Sequence, residues 1–176
     1  MSALSVLYIV LPILAVSFCH ALEVVFTARR WASHHSASSD EAHQSLVNIL
    51  FRLSGMNMSA LVIAAVVGFL AVLLSTAALF AGGLWAELVW TTVFMAYSVC
   101  ALINLVRAVT LKGYVPGLVT SIISVPLIAY AAYSLSLVWP WWGMLLFAIL
   151  GLFLALANLY FAQRIGQRQT SNSTKN

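Results

Sequence analysis

From Ala3 to Thr27 the chain runs without a basic residue and with one acid. Comparable apolar runs return over about 57–81, 85–109, 117–138 and 141–163. A helix needs about 17–25 apolar residues to cross the hydrocarbon core, and each run is that long. None alternates polar and apolar positions with period two, so barrel strands are not predicted. The pattern predicts an all-α polytopic integral membrane protein with five transmembrane helices, a single membrane domain over 1–166 with spans about 3–27, 57–81, 85–109, 117–138 and 141–163. Between the first two runs, Ser38 and Glu41 have capping-box spacing and Leu46, Ile49, Leu50 and Leu53 share a helical face that Gly55 can end. That stretch reads as an amphipathic cytoplasmic helix over about 40–54, on the membrane surface or as a plain linker at the bundle end. The polar residues 167–176 read as a disordered cytoplasmic tail.

Composition sharpens this. Charged residues are 7% of the chain and hydrophobic ones 63%; a soluble domain carries about 25% charged residues, so lipid must supply the outer environment. The net charge of +4 is spread beside the apolar runs, the placement of topology signals and not of a nucleic-acid footprint. Arg29, Arg30 and Arg52 fall in the first loop, Arg107 and Lys112 flank the third, and Arg164, Arg168 and Lys175 follow the last span. The second loop (AGGLWAE) and the fourth (WPW) hold no Lys or Arg. The positive-inside rule then gives the N-terminus outside and the C-terminus inside, with Trp85, Trp139, Trp141 and Trp142 at the outer interface. No basic residue precedes the first run, so an uncleaved first span is expected. Cys19 and Cys100 lie within apolar runs and read as small buried hydrophobes.

With this topology the strongly polar side chains share one level. Glu23 falls about 6–8 Å from the inner boundary and His20 about 10–12 Å, at 1.5 Å per helical residue. Asn104 and Arg107 on the third span, Asn158 and Gln163 on the fifth, and Thr120, Ser121 and Ser124 at the start of the fourth lie in the same leaflet. Ser17, His20, Glu23, Thr27 and Arg30 follow 3- and 4-residue steps, as do Tyr97, Cys100, Asn104 and Arg107. Gly151, Ala155, Asn158 and Ala162 form a narrow face for close helix approach. The stripe Ala64, Gly68, Ala71, Ser75 and Ala78 reads as packing alone.

An ionisable side chain in mid-span costs about 2.5–3.5 kcal/mol on insertion scales, while one interhelical polar contact returns about 0.6 kcal/mol on average. Packing is a poor reason for a buried carboxylate. The reading is an inner-leaflet polar pocket built from His20, Glu23, Asn104, Arg107 and Asn158 that binds or passes a small molecule or proton. In it Glu23 is the charged or proton-exchanging group and His20 a hydrogen-bonding one. Two alternatives stand beside it. In one, a buried Glu23–Arg107 pair fixes bundle register in a structural, assembly or regulatory protein. In the other, His20 and Glu23 do intramembrane acid–base chemistry. No cofactor is implied. A metal would need further ligands from Cys19, Cys100, His34, His35 or His43. The expected partners are the bilayer and a homo-oligomer or a second membrane protein.

His20-Ala21-Leu22-Glu23 on a first span, followed by Tyr114-x-Pro116-Gly117-x-x-Thr120, resembles the HXXEE family of small bacterial multi-pass membrane proteins. The resemblance implies the bacterial inner membrane and singles out His20 and Glu23. It implies no activity. The motif's second glutamate is Val24 here. Pro116 and Gly117 are read as a tight start to the fourth span, Pro116 in its first turn, and Pro126 as a mid-span bend.

Overall fold

The computed structural model describes residues 3–35, 58–110 and 112–173. These form five helices: α1 (Ala3–His35), α2 (Met58–Ala81), α3 (Leu84–Thr110), α4 (Leu118–Ser136) and α5 (Trp141–Ser173). Each contains a stretch long and apolar enough to cross a membrane, from Tyr8–Ala28 in α1 to Trp141–Ile165 in α5. This is the architecture of a multi-pass membrane protein. Large apolar side chains such as Phe26, Leu74, Leu102 and Phe153 point outward around the bundle, which suits lipid and not water. The helix expected over 40–54 lies outside the described residues. The tail differs from expectation: α5 continues through Ser173, because Gln167, Arg168 and Gln169 are good helix formers and no proline follows to stop it.

From α2 onward, short connections make successive helices antiparallel. Gly82 and Gly83, both at positive φ (82° and 100°), turn the chain from α2 into α3. Around the bundle, α1 packs on α2 and α4, α3 packs on α4, α5 and α2, and α2 closes on α5. α1 and α3 share no extended contact.

The two ends of the bundle differ. At one end Ile9, Val10, Ile13, Leu79, Trp90, Phe94, Ala131 and Leu135 form a close-packed core. Trp90 stacks on Phe94 (5.4 Å, 6°) and donates its Nε1–H to Thr76 Oγ1 at 3.3 Å, the partner a buried indole needs. Trp139, stacked edge-on against Phe147, and the exposed Trp85, Trp141 and Trp142 belong to this end. At the other end Ala60, Ala64 and Ala162 form a small apolar cluster with Ile63 and Leu159 against it, and the buried residues include Asn104, Arg107, Thr120, Ser121 and Ser124.

Small residues set the helix spacing. A Cβ on Gly151 would lie 2.7 Å from the Ala96 backbone nitrogen and 2.7 Å from Met95 Cβ, so α3 and α5 meet backbone to side chain there. A Cβ on Gly143 would meet only ordinary contacts, the nearest at 3.6 Å. Gly151→Ala should therefore lower stability by about 1–3 kcal/mol, the usual cost of overpacking, while Gly143→Ala should be near neutral. Thermal unfolding of the two variants in mild detergent checks this; equal effects would refute the close α3–α5 approach.

Candidate functional site

The site is built where α1 meets the start of α4. The first turn of a helix leaves four amide N–H groups without intrahelical partners, and a side chain at the N-cap commonly satisfies one or two. The N-cap of α4 is Gly117, with no side chain and a left-handed backbone (φ 86°, ψ 5°). The cap comes instead from another helix. Val119 N–H donates to Glu23 Oε1 at 3.1 Å and Thr120 N–H to Glu23 Oε2 at 2.9 Å. Leu118 N–H donates to Val115 O, and Ser121 N–H to Gly117 O, both at 3.0 Å. The first amides of α4 are thereby all satisfied. The Thr120 hydroxyl adds a donation to Glu23 Oε2 at 2.6 Å, and Tyr114 Oη–H one to Oε1 at 2.7 Å. A carboxylate at a helix N-terminus is further stabilised by the helix dipole. Tyr114, in the loop before α4, is held above its ordinary pKa by burial and by the neighbouring Glu23 carboxylate, so it stays a protonated donor.

His20, one turn back on α1, locks the same joint. Its Nδ1 lies 2.9 Å from Thr120 Oγ1. The Thr120 proton is directed to Glu23 or to Gly117 O (3.2 Å), so Oγ1 can only accept from the ring. The proton of a neutral imidazole is therefore on Nδ1, and Nε2 is the acceptor. A Cβ on Gly117 would overlap the His20 ring. Glycine is required there twice, for its backbone conformation and for the imidazole pressed against it. The two sequence stretches that carry the family resemblance, His20-x-x-Glu23 and Tyr114 to Thr120, are thus one interlocking contact.

On the far side of His20 is a cavity of about 170 Å³. His20, Asn104, Arg107 and Asn158 line it, with Ser17, Tyr97 and Cys100. The His20 and Tyr97 rings meet edge to face at 6.2 Å. Tyr97 Oη is 2.7 Å from Ser124 Oγ, whose own proton goes to Thr120 O, so the phenol donates. Asn104 Nδ2 reaches Ser121 Oγ at 3.4 Å, and Asn158 Nδ2 donates to Ala64 O at 2.9 Å.

Four of the five residues expected at a pocket are therefore brought together, and Glu23 is not among them. One expectation about charge is corrected. No ion pair among the described residues joins Glu23 to Arg107: the carboxylate is committed to α4, and Arg107 Nε and Nη2 are buried with no hydrogen-bond partner. Shared depth and phase did not determine pairing, because the backbone amides of α4 reach the carboxylate. The α2 stripe is also more than packing, since Ala64, Gly68 and Ala71 line the cavity and Ala78 is exposed. Cys19 is exposed and not buried, whereas Cys100 faces the cavity. Pro116 precedes α4, buried beside Gly117, and is not in its first turn. Sequence reasoning missed Thr120 and Tyr114 as the partners of Glu23. The signal was a helix start of Pro-Gly with no Ser, Thr, Asp or Asn at the cap, a helix that needs capping from elsewhere.

These features define a polytopic helical protein with an interhelical polar joint beside an internal cavity. A family model described as a protein of unknown function with HXXEE motif matches residues 11–131. The chain belongs to the HXXEE family. No curated protein and no solved structure matches significantly.

Two variants test the joint. Glu23→Gln keeps the shape but loses the charge and one acceptor oxygen, and should cost about 2 kcal/mol from the lost cap and charge-assisted hydrogen bonds. Gly117→Ala should destabilise through both its backbone and the His20 ring. His20→Ala added to Gly117→Ala should relieve the steric part only, giving a less-than-additive loss in a double-mutant cycle of detergent unfolding. Simple additivity would show that the ring and Gly117 do not press on each other.

Proposed function

We propose that the protein spans the bacterial inner membrane five times, with its N-terminus outside, and binds a small molecule in the cavity at the cytoplasmic end of the bundle. The observation that carries this reading is the convergence of His20, Asn104, Arg107 and Asn158 from three helices on one cavity with otherwise largely apolar walls. Ligand sites are typically concave, mostly apolar and set with a few polar groups that fix orientation. Glu23 takes the role that its geometry favours, an anchor between α1 and α4, and not that of a proton-exchanging group. A carboxylate that accepts from two backbone amides, a threonine and a tyrosine has little acceptor capacity left for a ligand. His20 joins the two functions. One ring nitrogen holds the joint, and the other is the acceptor on an imidazole that lines the cavity.

The orientation follows from the distribution of Lys and Arg over loops and ends. A reporter fused after Asn176 should read cytoplasmic and one inserted between Gly82 and Gly83 external; the opposite pair of results would invert the proposed opening. Access to the cavity has its own test. In a background lacking Cys19 and Cys100, Asn104→Cys should react with a small water-soluble thiol reagent applied from the cytoplasmic side. Leu102→Cys, which faces outward, should not. If both stay silent in folded protein, the cavity is closed and dry and the binding reading falls.

A further inference from the structure

We propose that the ligand is a single-chain amphiphile with a carboxylate head, held by Arg107, and that this chain takes an external carboxylate because none of its described acids supplies one there. The inference rests on the binding reading above and gives it a ligand class.

Arg107 is 8% exposed, and its Nε and Nη2 have no hydrogen-bond partner. Guanidinium cannot shed its charge inside a protein as a lysine can. A buried cation needs a counter-charge. The chain has four acidic residues, Glu23, Asp40, Glu41 and Glu87. Glu23 is not on the cavity and is engaged by α4. Glu87 is in the first turn of α3, at the opposite end of the helix from Arg107. Asp40 and Glu41 lie outside the described residues.

Val24 supplies the second observation. It stands where the HXXEE motif has its second glutamate, is 2% exposed, and lines the same cavity as Arg107. A glutamate at this position would put a carboxylate on the cavity wall. With valine the cavity keeps the cation and loses that anion. A planar carboxylate matches the guanidinium fork, which can bind both oxygens at once.

The remaining walls describe the rest of the ligand. Along α3 the cavity runs from Arg107 to Val93, about 21 Å at 1.5 Å per residue. Past Tyr97 the wall along α3 and the facing part of α2 is apolar, with Ala96, Val93, Val72 and Phe69. A volume of about 170 Å³ over that length suits one alkyl chain and not a bulky ring system. Val67 on α2 and Leu154 on α5 line the cavity and are also exposed on the outer surface, at 46% and 40%. They mark a sideways opening toward lipid, through which a membrane-dissolved fatty-acid-type carboxylate can enter with its chain still in an apolar medium.

The test uses the full-length protein in nanodiscs of zwitterionic lipid, with dodecanoate as probe and dodecanol, dodecyl phosphate and dodecyltrimethylammonium as comparisons. Dodecanoate should raise the unfolding temperature in a dose-dependent way, and the carboxyl-13C resonance of labelled dodecanoate should shift on binding. Dodecanol and the ammonium should do neither. Arg107→Met should weaken dodecanoate binding by about tenfold or more. Val24→Glu should be at least as stable as the unaltered protein without ligand, and unresponsive to dodecanoate. Val24→Gln, which adds bulk but no charge, should retain part of the response. Asp40→Asn/Glu41→Gln should bind as the unaltered protein does. Tighter binding to that double variant would mean that one of those acids is the true partner of Arg107, and would overturn the proposal. Equal responses to dodecanol, or a full response in Arg107→Met, would overturn it as well. A stronger response to dodecyl phosphate would replace the carboxylate with a phosphate head. If Asn104→Cys labels but dodecanoate does not bind, only the ligand class is wrong; if Asn104→Cys is silent, the cavity reading fails first.

Discussion

The first amides of a helix have no intrahelical acceptor, and in this molecule two of those at the start of α4 go to one carboxylate from α1. Glu23 accepts the Val119 and Thr120 amide protons together with the hydroxyl protons of Thr120 and Tyr114. The rest of the polar end depends on this contact. It fixes α1 against α4 and seats His20 on Gly117. It also sets the direction of the hydrogen bonds through Thr120. A carboxylate is suited to the task because the four donors converge and the helix dipole adds to the attraction. The insertion cost of a charge in a span is lowered when the charge has such partners.

The cavity follows from what α1 then cannot do. Held to α4 on one side and packed on α2 on the other, α1 does not close on α3, and the space between is met by the side chains of His20 and Tyr97 rather than by backbone approach. On the other side Gly151 lets α5 come close to α3 near Met95 and Ala96, and Asn158 ties α5 to the α2 backbone at Ala64. The helices are pinned on the perimeter, and the unfilled volume is left inside. At the opposite end the large side chains of Trp90, Phe94 and Leu135 fill the equivalent space. The five helices are therefore filled by large side chains around Trp90, Phe94 and Leu135 and leave a cavity from Val93 toward Arg107.

Charge is distributed with similar asymmetry. The acid of the polar end serves the fold, and Arg107 faces the cavity with Nε and Nη2 lacking a hydrogen-bond partner among the described residues. A pair between them would have neutralised both and left the cavity with neutral polar groups alone. Instead each has its own surroundings, and of the two charges it is the cation that lines the cavity. Val24 completes this arrangement by keeping the wall nearest the motif apolar.

The sequence by itself determined the five helices, their approximate ends and the polar level at one end of the bundle. These depend on local quantities: run length, helical spacing and the cost of burying polar groups in lipid. It also singled out His20, Glu23, Asn104, Arg107 and Asn158 as residues whose burial needed a reason. What it could not decide was which polar group meets which. Glu23 and Arg107 have compatible depth and phase, and charge alone favours joining them. The tertiary structure decided otherwise, because the start of α4 offers four donors to one carboxylate, and backbone amides carry no signal in a side-chain pattern. Only the missing cap at Gly117 hinted at them. The helix arrangement, too, was beyond the sequence: whether a stripe of small residues such as Ala64, Gly68 and Ala71 packs or lines a void depends on how far away the facing helix is held. That distance is set here by the joint between Glu23 and α4.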